Sequence, residues 1–274
     1  MEFDKKLEIL GFFSDKDIER VTNDIWNDIS KNATPQNEKA KLFILGGQPG
    51  AGKSSSQKAA KKMVNGNCIS INLDDYRRYH PNADKIYNLY PGERDEYSVL
   101  TNPFMKAVGN KIIEKATQRN MNVIIEKTMN DPESIDKLIK NFKNYEINVL
   151  IVTCREEYSM ATAKSRYENQ TTKYNKDLKE HPPRWISEEY QRECMTGLGR
   201  TAKFVLEKYK GRINQFRVYM RHQAKDLSKA KDPKVVFDLV KVFDKRVNPE
   251  RILETTINKT IYIQLRNKNK DIQR

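Results

Sequence analysis

The sequence predicts an α/β fold: a doubly wound, mainly parallel sheet flanked by helices, with a helical lid and a helical C-terminal extension. Three observations lead there. Short apolar runs alternate with segments of helical periodicity over roughly the first 150 residues. The first run, Leu42 to Leu45, leads directly into G-x-x-x-x-G-K-S. The next two runs close on acidic residues, Asp74-Asp75 and Glu126. An open parallel sheet presents its ligand groups at such strand ends.

The apolar run and the glycines after it make a strand, a tight turn and the start of a helix. Gly47, Gln48, Pro49, Gly50, Ala51, Gly52, Lys53, Ser54 and Ser55 form the expected nucleotide-binding stretch. Its glycines let the backbone wrap an anion, and the helix presents its positive end to the same charge. Lys53 can reach the β- and γ-phosphates, and Ser54 can hold Mg²⁺. An ordinary glycine-rich strand–helix turn is the bland alternative. The strand before and the helix after argue against it. The fold is therefore of P-loop NTPase type, with ATP or GTP and Mg²⁺ as expected ligands.

Ahead of this strand, residues 3–30 read as two helices. Ser14 and Asp17 make a weak capping box for the second, with Ile18, Val21, Ile25, Trp26 and Ile29 on its apolar stripe. Residues 31–40 are a polar linker. The phosphate-loop helix runs to about Val64 and stops at Asn65-Gly66-Asn67. A second strand is expected from Cys68 to Leu73. Asp74 just beyond it could take a proton from a substrate hydroxyl, help hold Mg²⁺ or simply cap a helix. A helix over 97–118, a strand at 123–126, a helix over 132–143 and a strand at 147–152 follow. Residues 155–200 are rich in Lys and Arg, including Arg166 and Arg184, and are broken by Pro182-Pro183. They suit a mobile lid that brings cations to a transferring phosphoryl group, or an exposed basic helix pair. Phe216 to Met220 is one more strand. Val235, Val236, Leu239 and Val240 then suggest a return to helix. The expected organisation is N-terminal helices at 1–37, a kinase core at 38–222 and a basic helical extension at 223–274.

Composition narrows the setting. The chain has 274 residues and a formal charge of +14. Residues 201–274 carry about 19 Lys/Arg against about 8 Asp/Glu, so most of the excess lies there. Such a surface could face nucleic acid, an acidic protein or a phosphorylated substrate, or be a solvated lysine-rich face. Cys68, Cys154 and Cys194 are widely spaced and form no metal pattern, which fits reduced thiols in a cytoplasm. No run of eighteen apolar residues suggests a membrane span, and the first residues lack the apolar core of a signal peptide.

Four motifs at consistent spacing resemble the zeta toxin family of bacterial kinases, across about residues 38–222. They are GGQPGAGKS, DDYRRYHP from Asp74 to Pro81, IIEKT from Ile124 to Thr128, and SRYE from Ser165 to Glu168 with Arg184 further on. The resemblance implies phosphorylation of a sugar hydroxyl of UDP-N-acetylglucosamine by ATP or GTP. It implies a toxin that blocks peptidoglycan synthesis and is silenced by a small helical antitoxin. It casts Asp74 as catalytic base, Lys53 as the phosphate-loop lysine and Ser54 as the Mg²⁺ ligand. Arg166 and Arg184 become the lid arginines, and His80, Glu126 and Thr128 are expected at the substrate. Three residues depart from the family pattern: Lys127 for a Gly, Asn130 for an Arg, and Asn110 for a Glu of some members. All three bear on the acceptor, so another UDP-sugar remains open. Lys179 is a second candidate for the second lid cation. Two further readings stand beside this one. One is a kinase for a nucleic-acid end. The other is a nucleotide-binding switch without turnover.

Overall fold

β1 (Lys41–Gly46) lies inside the sheet and is buried along nearly all of its length. Strand side chains alternate between faces. Leu42 and Ile44 join one core, and Phe43 and Leu45 another. The computed structural model describes residues 5, 8–177 and 180–219, and the backbone of 220 and 234–240. Around β1 stand β2 (Ile69–Ile71), β3 (Val123–Glu126), β4 (Glu146–Thr153), β5 (Ile213–Met220) and β6 (Lys234–Val240), in the order β2-β3-β1-β4-β5-β6. The first five strands are parallel, and β6 runs antiparallel to β5. Burial on both faces explains why β1, β3 and, apart from Asn148, the interior of β4 read as apolar runs.

The larger core takes α1 (Asp15–Ile29), α4 (Glu96–Gln118), α5 (Pro132–Asn141) and α7 (Glu188–Tyr209). The other face takes α2 (Ser54–Met63), through Ala60. α1 has the expected capping box: Asp17 N–H donates to Ser14 Oγ at 3.2 Å and Ser14 N–H to Asp17 Oδ2 at 3.0 Å. Val21, Ile25 and Trp26 carry α1 onto the core with α4. The helix expected before α1 falls largely outside the described residues. Among the described residues no helix is long and apolar enough to cross a membrane.

Three elements differ from expectation. The second strand stops at Ile71, and Leu73–Tyr79 form a 3₁₀ helix. Arg77 reaches back to Asp74 and Arg78 to the Asp75 carbonyl, contacts that favour a turn over an extended end. A short helix, α3 (Ala83–Leu89), follows, with Ala83, Ile86 and Tyr87 buried. Seven residues are too few for periodicity to stand out. The stretch with Val235, Val236, Leu239 and Val240 is strand β6, not helix. A short apolar run fits either period, and β-branched residues pairing with the open edge of β5 decide it. Of the expected lid, α6 (Glu156–Lys176) and residues 180–184 lie over the strand ends. α7 instead buries Leu198, Ala202, Val205 and Leu206 in the main core. The rest of 223–274, and Lys179, lie outside the described residues.

Candidate active site

The loop between β1 and α2 is shaped by its glycines. Gly47 and Gly50 have φ of 142° and 75°. A Cβ at Gly47 would sit 2.2 Å from the Val152 carbonyl oxygen, and one at Gly50 2.3 Å from that of Ser159. The loop therefore lies directly on the end of β4 and the start of α6. Gln48 is buried and donates to the Cys154 carbonyl at 2.7 Å. Ser159 donates its hydroxyl to the Pro49 carbonyl. α2 has no side-chain cap. Ser55 and Ser56 donate to the Gly52 and Lys53 carbonyls rather than accept from the helix N–H groups. That leaves an uncapped helix N-terminus at a cradle only glycine can line, which fits nucleotide phosphates. Ser54 is exposed on the first turn, where its hydroxyl fits a Mg²⁺ ion held jointly with phosphate oxygens.

Lys53 lies folded across this loop. Its Nζ donates to the Gly47 carbonyl at 2.9 Å and the Gln48 carbonyl at 3.2 Å, and stands 3.5 Å from Glu126 Oε1. Burial lowers its pKa, and the Glu126 charge opposes that shift. Glu126 reaches it because β3 pairs with β1 in a register that sets Leu45 opposite Glu126.

Asp74 lines a cleft of about 290 Å³ together with Asp75, Arg77, Glu126, Arg166 and Arg184, and it feels the Lys53 charge. Arg184 ion-pairs with Asp74 Oδ2, and Arg77 Nε donates to Oδ1 at 3.1 Å. Burial pushes the Asp74 carboxyl up, but Arg184, Arg77 and Lys53 together outweigh it and hold its pKa below the usual carboxylate value. Its neighbour Asp75 is shifted the other way, raised by burial. Arg166, on α6, has its pKa lowered by burial and by Arg184. Arg166 and Arg184 thus converge on one acidic centre. Beside the cleft, a wider groove of about 940 Å³ runs between α4 and α5. Lys106, Asn110 and Lys127 are on its wall. Lys127, on the groove wall, feels the charge of Asp74 in the cleft. Burial lowers its pKa, Asp74 raises it and Lys106 lowers it further, so its ammonium feels both groups.

Five expected residues are therefore brought together: Lys53, Asp74, Glu126, Arg166 and Arg184, with Ser54 next to Lys53 on the first turn of α2. Thr128 stands at the edge, donating to Asn130 Oδ1 at 2.7 Å with Tyr190 and Cys194 of α7 against it. His80 is not at the cleft, contrary to expectation. It is 3% exposed, packed edge-on against Phe13 and Phe104. Its Nδ1 accepts from Asn82 N–H at 3.1 Å, and its Nε2 lies 3.3 Å from the Gly11 carbonyl oxygen. The ring serves the packing of the N-terminal segment because the 3₁₀ helix turns it away from the strand ends. Arg77 was not anticipated. Its place three residues after Asp74 on a short helix was the available signal.

The comparisons with known proteins agree with this geometry. Residues 23–232 match the model of one family, described as Zeta toxin. The chain belongs to the zeta toxin family. Over 159 residues it is 30% identical to toxin zeta of Streptococcus pyogenes, covering 57% of this chain and 54% of that protein. Over 129 residues it is 30% identical to toxin PezT of Streptococcus pneumoniae, covering 46% of this chain and 49% of that one. The chain spans about half the length of the curated relatives it matches. Among solved structures, one from the PezAT chromosomal toxin–antitoxin system of Streptococcus pneumoniae superposes with a TM-score of 0.66 at 16% identity, covering 97% of this chain and 99% of that chain. The AvrRxo1-ORF1:-ORF2 complex gives 0.56 at 13% identity, covering 88% and 73%. At these identities the superpositions establish the fold, and the zeta toxin family match rests on sequence.

Proposed function

We propose that this zeta toxin family member is a kinase that transfers the γ-phosphoryl group of ATP or GTP to a sugar hydroxyl of UDP-N-acetylglucosamine or a related UDP-sugar. The observation that carries the reading is the position of Asp74. Its carboxylate lines the cleft and feels both Lys53 of the phosphate cradle and Lys127 on the wall of the second, lysine-lined groove. A carboxylate so placed can meet a nucleotide from one side and an acceptor hydroxyl from the other. The acceptor oxygen bonds to the γ-phosphorus, the bond to the β,γ-bridging oxygen breaks, and the hydroxyl proton passes to Asp74. The nucleoside diphosphate leaves. Lys53, Arg166 and Arg184 neutralise charge on the transferring group. A depressed pKa keeps Asp74 ionised, and a loose phosphoryl transition state asks little basicity of it. Mg²⁺ on Ser54 would supply further charge neutralisation at the phosphates. Arg184 now sits on Asp74, and a bound γ-phosphate offers it a more highly charged partner.

Family membership motivates the rest of the reading. The product would withdraw a sugar nucleotide from peptidoglycan synthesis, in the cytoplasm, and a small helical antitoxin would hold the chain silent. One neighbouring structure comes from a toxin–antitoxin system, and one AvrRxo1-ORF1:-ORF2 structure is described with ATP. Incubation of the chain with ATP, Mg²⁺ and a panel of UDP-sugars, read by mass spectrometry, tests the activity. UDP-N-acetylglucosamine heavier by one phosphate is the expected product. Phosphate gained only by another UDP-sugar or an oligonucleotide would keep the kinase and discard this acceptor. Nucleotide binding without any transfer would discard the kinase.

A further inference from the structure

We propose that Arg77 is a positioning residue that fixes Asp74 Oδ1 and so presents Oδ2 to the acceptor hydroxyl. The inference rests on the kinase reading above. Its basis is the way the Arg77 side chain is held. The residue is 4% exposed. Nε donates to Asp74 Oδ1 at 3.1 Å, Nη1 to the Ser98 carbonyl at 2.6 Å and to Thr101 Oγ1 at 3.1 Å, and Nη2 to Asn102 Oδ1 at 2.7 Å. Three of these four acceptors belong to the first two turns of α4. Thr101 is fixed in turn, donating to the Tyr97 carbonyl at 2.6 Å. α4 is rooted in the protein interior by Leu100, Phe104 and Val108, each fully buried. A planar guanidinium with its donors spread over a rigid helix has one orientation.

The two oxygens of Asp74 therefore have different anchors. Oδ1 is tied through Arg77 to α4. Oδ2 meets Arg184, which comes from the segment between α6 and α7 and whose Nε donates to Ser98 Oγ at 3.2 Å. Arg184 can exchange Asp74 for a phosphate, whereas Arg77 cannot leave without stranding a buried charge. The oxygen that becomes available is Oδ2, and its direction is set by the bond at Oδ1. Other charges face Asp74 as well: Lys53 from the phosphate loop, Arg166 from α6, Lys127 and Glu126 from the end of β3, and Asp75 beside it. Arg77 is held by three acceptors of α4, against one, Ser98 Oγ, for Arg184.

The test combines two readouts on the full chain. One is the titration of the Asp74 carboxyl carbon by NMR, assigned with Asp74→Asn. The other is steady-state transfer. Arg77→Met should raise the Asp74 pKa by about one unit or more, the effect of losing a neighbouring cation. It should lower kcat by about 100-fold, the scale of a misplaced catalytic group, with the nucleotide KM within about twofold. Arg77→Lys should restore the pKa but not kcat, because a point charge lacks the fork. Asn102→Ala, a milder change, should lower kcat in the same direction, and it carries the test if Arg77→Met does not fold. An unchanged Asp74 pKa or an undiminished kcat in these variants overturns the proposal. Equal loss of nucleotide affinity and kcat also overturns it, by showing a merely structural role. A wild-type chain that transfers to no acceptor removes the kinase reading instead. The titration then still decides whether Arg77 holds Asp74.

Discussion

At the scale of residues, the site depends on neighbouring carboxylates made unlike by their surroundings. Asp74 and Asp75 are adjacent, yet arginines hold one ionised while burial raises the other. Divergent environments of this kind are how one site assigns acid and base roles. Much of this centre was legible in the sequence. Lys53 and Ser54 follow from the phosphate-loop spacing, and Asp74 and Glu126 from charges that close apolar runs. Arg166 and Arg184 came from family resemblance, since a basic stretch by itself does not say which arginine points inward. Arg77 escaped notice because its partners, Ser98, Thr101 and Asn102, lie over twenty residues on, on another helix. Local spacing reveals no such contact. His80 was misplaced for the converse reason. A His-Pro pair near the proposed base Asp74 invites a role at the substrate, but the 3₁₀ turn faces the ring toward Phe13 and Phe104.

At the scale of elements, strands and long helices were legible and their ends were not. β3 ran over the expected residues, whereas β2 gave up its last turn to local Asp–Arg contacts. The stretch now forming β6 shows the limit of periodicity. Its apolar residues suit a helix until the open edge of β5 is available for pairing. The packing of α7 carries a prediction. A Cβ on Gly197 would lie 2.2 Å from the Asn130 carbonyl oxygen, a backbone atom that cannot turn aside. Gly197→Ala should therefore cost about 1–3 kcal/mol through overpacking, more than the up to 1 kcal/mol that alanine gains inside a helix. Thermal melts should show a lower Tm. Because the displaced loop also carries Thr128, the acceptor KM should rise. An unchanged Tm would mean that α7 does not press on this loop.

At the scale of the whole molecule, the N-terminal segment is joined to the catalytic sheet through His80. The ring bridges the Gly11 carbonyl and the Asn82 N–H. A proton on Nδ1 would face that N–H, and burial already lowers the His80 pKa, with the Gly11 carbonyl opposing it. Well above pH 6.5, by about one unit, the residue is neutral both folded and unfolded, so it adds no pH dependence. Below that, the unfolded chain takes up a proton that the folded chain resists, and stability falls. The slope from this one group is at most about 1.4 kcal/mol per pH unit. His80→Gln should show a shallower decline in Tm between about pH 7 and pH 5.5 than the wild-type chain. Equal slopes would mean that the ring is free to protonate in place.

The central claim is that Asp74 accepts the proton of the acceptor hydroxyl, and a paired measurement on Asp74→Asn tests it most directly. Nucleotide affinity by calorimetry and phosphoryl transfer by mass spectrometry are compared with wild type. Transfer should fall by at least about 100-fold, as expected on losing a general base, with the nucleotide Kd within about threefold. A variant that retains wild-type turnover would contradict the account.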